Sequence, residues 1–191
     1  DQRFSAQRTG GWVMNCTEGT RTELQGFQSL FARAMLFMDA PDHTRLRSLI
    51  NAGFRADALE RIRPAMERWI DARLDAVDLR TGFDFMAQIA RPLPAYVIAS
   101  LMGMEEVDQA PFLIWSDDLA SFIGAPQPTP EQARRAQTSL LAMARRFDEL
   151  IAIKRSQPDE GLISRLAQAQ ERGEIQSGAE LLAQCAMLLF A

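Results

Sequence analysis

The only histidine of this 191-residue chain, His43, stands four positions before Arg47 in the stretch FMDAPDHTRLRSLINAGF at 37 to 54. Side chains four apart on a helix meet on one face, so this imidazole and guanidinium can act together. With Leu46, Ile50 and Phe54 they fall at successive three- and four-residue steps, a stripe from which Asp42 and Arg45 turn away. An arginine among core residues requires a paired acceptor, and its planar fork matches a carboxylate; a histidine one turn earlier donates to the same group or its neighbour. The chemistry is anion recognition. The anion belongs either to a bound ligand or to the chain itself, with Arg47 on an internal Asp or Glu and His43 on a backbone carbonyl.

Other chemistries lack their parts. A serine or cysteine hydrolase would have to use His43, yet no Gly-x-Ser-x-Gly elbow is present and neither cysteine has a reactive sequence context. A di-iron bundle needs two Glu-x-x-His motifs, and one histidine cannot provide them. Neither Gly-x-Gly-x-x-Gly nor a P-loop occurs, so both common backbone cradles for nucleotide phosphates are missing. Asp117 with Asp118, and Glu105 with Glu106, are adjacent pairs that point in different directions on a helix and read as solvated faces.

The elements that position these residues are helical. Residues 9 to 30 lack steady periodicity and read as a long loop with one short helix, followed by the apolar run Met35-Leu36-Phe37-Met38, which reads as buried. Pro41 and Asp42 open a helix that Gly53 stops. Residues 56 to 76 carry Leu59, Ile62, Met66, Trp69, Ile70 and Leu74 at helical spacing, with Pro64 expected to kink or divide them. Asp84 caps a segment that Pro92 and Pro94 interrupt, and Gly103 closes it. Another helix covers 105 to 123. Thr129-Pro130-Glu131-Gln132 is a capping box opening the longest helix, to about Ser156. Ser177 with Glu180 forms a second box, before LLAQCAMLLFA, which is apolar all round and belongs deep in a core. No strand pattern is visible, so the fold class is mainly α.

With 47% hydrophobic residues the chain can bury a real core, and a net charge of -4 argues against a nucleic-acid partner. No stretch is apolar enough to span a membrane, and no signal-peptide core opens the sequence. Cys16 and Cys185 are far apart and unpaired, which fits a reducing cytoplasm and excludes a disulfide framework or zinc knuckle. The triplet Asn15-Cys16-Thr17 reads as a chance sequon. The absence of an initial methionine, and a last apolar helix without a cap at Ala191, are expected of an incomplete sequence.

MDAPDHTRLRSLINAGF resembles the C-helix signature of bacterial cytochromes P450, Asp-x-Pro-Glu/Asp-His-Thr-Arg-Leu-Arg followed by phenylalanine. In the family's order, DQRFSAQR is similar to the end of the B helix, IARPLPAYVIASLMGM to the segment closing on Leu-x-Gly-x, EGLISRLAQAQ to the segment Asp-Asp-Leu-Leu-Ser-x-Leu, and ELLAQCAMLLFA to the start of the I helix. The resemblance implies an incomplete P450 fold over 1 to 191: a B-C loop region at 9 to 36, the C helix at 41 to 53, an F-G region at 111 to 156, and the start of the I helix at 178 to 191.

It further implies a haem cofactor whose propionates accept from His43 and Arg47, with Leu36 approaching the haem. Met35, Leu119, Phe122, Ile123, Met187, Phe190 and Ala191 are then expected around a hydrophobic substrate. Ala191 would begin the oxygen-activation motif. The loop bearing the axial thiolate is absent, and neither Cys16 nor Cys185 is expected to replace it, so these 191 residues alone are expected to be inactive. The implied function is a monooxygenase fed by a ferredoxin or flavodoxin, with outward arginines such as Arg45 steering that partner and the F-G region gating the pocket. The competing expectation is a non-catalytic all-helical ligand-binding module.

Overall fold

A helix that is apolar around its whole circumference must be surrounded, and the fold is built to surround the last one. The computed structural model describes residues 5 to 7, 9, 11, 18 to 78, 80 and 82 to 190, excepting the side chains of Thr20, Glu23, Glu106 and Phe190. Nine α-helices follow in order among them: α1 (Glu18–Glu23), α2 (Gln25–Phe31), α3 (Asp42–Asn51), α4 (Ala56–Asp75), α5 (Pro92–Met102), α6 (Glu106–Ile123), α7 (Pro130–Ser156), α8 (Leu162–Glu171) and α9 (Gly178–Phe190). Tight 3-10 turns sit at Met35–Phe37 and Ala52–Phe54, and a π turn at Met86–Ala90. The described residues contain no strand, and none of their helices is long and apolar enough to cross a membrane.

α9 packs against α2, α5, α6, α7 and α8. Leu181, Cys185, Ala186 and Met187 are all buried, and each large apolar side chain so enclosed stabilises the fold by roughly 1.5–3 kcal/mol. α7 contributes Ala133, Ala136, Leu140, Met143, Phe147 and Leu150 at three- and four-residue steps. Its start is fixed by the expected box: Gln132 N–H donates to Thr129 Oγ1 at 3.2 Å, and Thr129 N–H to Gln132 Oε1 at 2.9 Å.

Several local expectations change. The stretch from 18 to 31 forms two short helices, because Leu24, Phe27 and Phe31 recur at helical spacing and are buried. Phe27 stacks on Phe31 at 4.7 Å between centroids. α4 runs unbroken through Pro64; Trp69 anchors the following turns beside Tyr96, whose hydroxyl donates to the Ala65 carbonyl at 3.3 Å. Pro92 and Pro94 open α5, since a missing N–H costs nothing in a first turn. Gly103 ends α5 in the left-handed region at φ 79°, as its position suggested. Gly53 serves a different end: a Cβ there would stand 2.6 Å from Leu162 Cδ1, so it permits α3 and its following turn to approach α8.

Candidate functional site

α3 begins with the His43 N–H donating to the Asp39 carbonyl at 3.0 Å and the Arg45 N–H to that of Pro41 at 3.1 Å. Its inward face is set by Leu46 and Ile50, which are buried, and Leu49, which packs against the same core. At about 100° per residue, that face is centred away from the stripe expected from sequence. His43 lies half-buried on its flank and Arg47 is exposed. Neither side chain has a hydrogen-bond or ion-pair partner among the described residues.

The internal alternative for Arg47, an Asp or Glu of this chain, is therefore not what the described residues provide. Asp39 is the carboxylate that feels His43. Its carboxyl is held below the usual range first by the Ala6 N–H and the Ser5 hydroxyl, with the field of His43 a smaller contribution. What remains on this flank is a pair of donors one turn apart with no hydrogen-bond or ion-pair partner among the described residues. By donor chemistry they fit a ligand with two carboxylate arms, as haem has.

Arg45, expected to face solvent, is instead the arginine that turns inward. It lies about 200° round the helix from both His43 and Arg47. Its Nη1 donates to the Glu174 carbonyl at 2.6 Å and Glu180 Oε2 at 3.2 Å; its Nη2 donates to Glu180 Oε1 at 2.7 Å and Asp42 Oδ1 at 2.9 Å. The side chains of Arg45 and Glu180 are 26% and 6% exposed, so Glu180 is the more deeply buried partner. The Glu180 hydrogen bond, aided by Asp42, outweighs desolvation and holds the guanidinium proton more tightly than usual. This occupancy removes Arg45 from the expected role of steering a redox partner.

The turn before α3 is fixed from α9 as well. Gln184, fully buried, accepts from the Met35 N–H through Oε1 at 2.9 Å and donates through Nε2 to the Arg33 carbonyl at 2.6 Å. Leu36, between the half-buried Met35 and the buried Phe37, is 44% exposed, against the expectation of a wholly buried run. A 3-10 turn aims successive side chains in three directions, so it cannot bury a continuous apolar run. Glu180 and Gln184 are the site-supporting residues that sequence reasoning missed. Their four-residue spacing inside an apolar helix was the available signal.

The expected substrate residues divide. Leu119 and Phe122 of α6 and Met187 of α9 are buried in one core cluster, and Met35 and Ile123 pack on it. Phe122 meets Phe27 edge-on at 5.2 Å. The Phe190 side chain and Ala191 lie outside the described residues. A cleft of about 270 Å³ lies elsewhere, among Trp69, Arg73, Tyr96 and Leu113, and contains none of these positions. Cys185 is fully buried, and burial pushes its thiol up to about 12, which keeps it protonated and unsuited to hold a metal as thiolate. Cys16 lies outside the described residues.

Sequence and fold comparisons show which known proteins the chain is similar to. No family model matches the chain. Cytochrome P450 107B1 of Saccharopolyspora erythraea is 38% identical over 166 residues, which cover 87% of this chain and 39% of that protein. The crystal structure of CalO2 superposes over 100% of this chain and 46% of its own, with a TM-score of 0.87 at 24% identity. The myxobacterial cytochrome P450 CYP267B1, solved in complex with myristic acid, is 31% identical with a TM-score of 0.76, covering 99% of this chain and 45% of its own. The chain belongs to the bacterial cytochrome P450 family. It spans about two fifths of the length of the curated relative quoted.

Proposed function

We propose that this chain forms the propionate-binding side and part of the distal wall of a haem-thiolate monooxygenase that oxidises a small hydrophobic molecule. The observation that carries the reading is the donor pair His43 and Arg47 on α3, without a partner among the described residues, in a chain of this family whose remaining α3 cation, Arg45, is satisfied internally. In that role Arg47 offers a planar fork and a permanent charge to one carboxylate, and His43 donates a single N–H to the other. Leu36, exposed in the turn before α3, supplies an apolar contact for the ring edge. When bound, haem supplies the oxidising chemistry with dioxygen and electrons from outside the chain; its thiolate ligand is not Cys185.

Met35, Leu119, Phe122, Ile123 and Met187 form the apolar wall that selects a hydrophobic substrate and excludes water. The fatty acid held by CYP267B1 is consistent with that class. The α6–α7 hairpin, joined by residues 124 to 129, is the element that opens over this wall. A ferredoxin or flavodoxin delivers the electrons, and the protein works in the cytoplasm.

The test is made on the full-length gene product. The reduced carbon monoxide difference spectrum is expected to carry a thiolate-haem band. His43→Ala/Arg47→Ala is expected to release haem to apomyoglobin about ten times faster than wild type, the scale on which partners of bound cofactors act. Well-folded protein without that band overturns the enzymatic reading, and unchanged haem release overturns the assignment of the pair.

A further inference from the structure

We propose that Glu180, with Gln184 one turn later, is a positioning residue for the His43 and Arg47 pair, acting through Arg45 as a lever on the roll of α3. The inference rests on the propionate reading above and concerns what aims the two donors. A ten-residue helix held only by Leu46, Leu49 and Ile50 is free to roll, because apolar contact is non-directional. His43 and Arg47 sit on the flank of that helix, where roll translates directly into displacement. At a helix radius of about 5–6 Å, a roll of about 20° carries a side chain about 2 Å sideways, well beyond the roughly 0.5 Å within which a binding constellation must be held.

Arg45 removes that freedom. It projects from the opposite side of α3 and meets Glu180 through both nitrogens of its fork, at 2.7 and 3.2 Å. A bidentate pair is directional, and it fixes the angle that the apolar contacts leave open. Glu180 is itself held: its Oε2 accepts from the Gln176 N–H at 2.7 Å, and its own N–H donates to Ser177 Oγ at 3.1 Å in the first turn of α9. Gln184 locks the backbone at Arg33 and Met35 on the same helix, so α9 sets both the roll of α3 and the turn presenting Leu36. The pair thus acts on the ligand without touching it.

Haem release to apomyoglobin and thermal unfolding, measured together on the full-length holoprotein, test the lever. Arg45→Met/Glu180→Leu replaces the ion pair by apolar groups of similar size, a change that commonly preserves folding. Because it also strands the Gln176 N–H and the Glu174 carbonyl, it is expected to melt about 4–8 °C below wild type yet remain folded and release haem about tenfold faster. In a His43→Ala/Arg47→Ala background the same change is expected to add nothing, since its effect passes through those two donors. Release at the wild-type rate, or an effect that multiplies in full onto the His43→Ala/Arg47→Ala rate, overturns the lever while leaving the propionate assignment intact. A wild-type rate in His43→Ala/Arg47→Ala alone overturns the propionate assignment instead. Should the apolar pair fail to fold, Glu180→Gln keeps the acceptor for Gln176 and carries the same two expectations.

Discussion

Gln184 offers the sharpest test of how α9 holds its neighbours, because its amide is used at both ends. Oε1 accepts from Met35 N–H at 2.9 Å, while Nε2 donates to the Arg33 carbonyl at 2.6 Å and to the Glu180 carbonyl at 3.1 Å. Gln184→Met keeps the volume and strands two part-buried backbone groups; at about 1 kcal/mol each, the low end for such groups, the cost is about 2 kcal/mol. The Glu180 carbonyl adds little, since it lies inside a helix whose own ladder occupies it. For a protein of this size that corresponds to a melting temperature lower by about 4–8 °C. Gln184→Glu is isosteric too, but its second oxygen would face two carbonyls, its charge would be fully buried, and Glu180 stands four residues before it on the same helix. A buried charge without a partner costs about 3–5 kcal/mol, so this variant should melt about 6–20 °C below wild type. Its introduced carboxyl has a folded value raised above the unfolded one. The deficit is therefore complete above that raised value and shrinks as pH falls through it, where a protonated oxygen donates again. Thermal melts from neutral to mildly acidic pH decide the matter. Gln184→Glu matching or exceeding Gln184→Met in stability at neutral pH would refute the donor role.

Two further predictions rest on single groups. The Cys185 thiol, pushed up to about 12 by burial, should remain unmodified by a maleimide in folded protein at neutral pH and react after denaturation; peptide mapping that finds it labelled in the native state would contradict its place in the core. Desolvation of Asp159 is outweighed by hydrogen bonds from Lys154, Ser164 and the Gly161 N–H, so its carboxyl is held below the ordinary 3.8. Its contribution is complete above that ordinary value and is lost as pH falls through the lower folded one, so the melting-temperature gap between wild type and Asp159→Asn should be constant above 3.8 and close below it. A gap that persists unchanged into stronger acid would exclude the mechanism.

Much of the helical order was readable because its signals are local. The box at Thr129 and Gln132, the left-handed stop at Gly103 and the apolar circumference of α9 each declare an element within a few residues. The roll of α3 was not readable in that way. Leu46 and Ile50 fit more than one inward face, and counting Phe54 as part of the same helix drew the stripe toward His43 and Arg47. Phe54 in fact lies in the 3-10 turn after α3, where the helical angle no longer applies. The residue that decides the roll, Glu180, is 135 positions from Arg45, a distance no periodicity spans. Leu36 was misplaced for a similar reason, since the tight turn at Met35–Phe37 splits an apolar run that a helix or strand would have kept together.

The two arginines of HTRLR therefore divide their work by two residues of spacing. Positions two apart on a helix face nearly opposite ways, so one side of α3 can be committed to the protein while the other is left open. Arg45 spends its charge on Glu180 and Asp42, and its alignment is the reason Arg47 has no acid of this chain to meet among the described residues. Exchanging the two roles would require α3 to turn through about half a revolution, exposing Leu46 and Ile50 and burying Arg47 without a partner. The burial of two aliphatic side chains and the bidentate pair thus favour the same orientation. That His43 and Arg47 meet no partner among the described residues follows from that agreement, as a consequence of how the opposite face is satisfied.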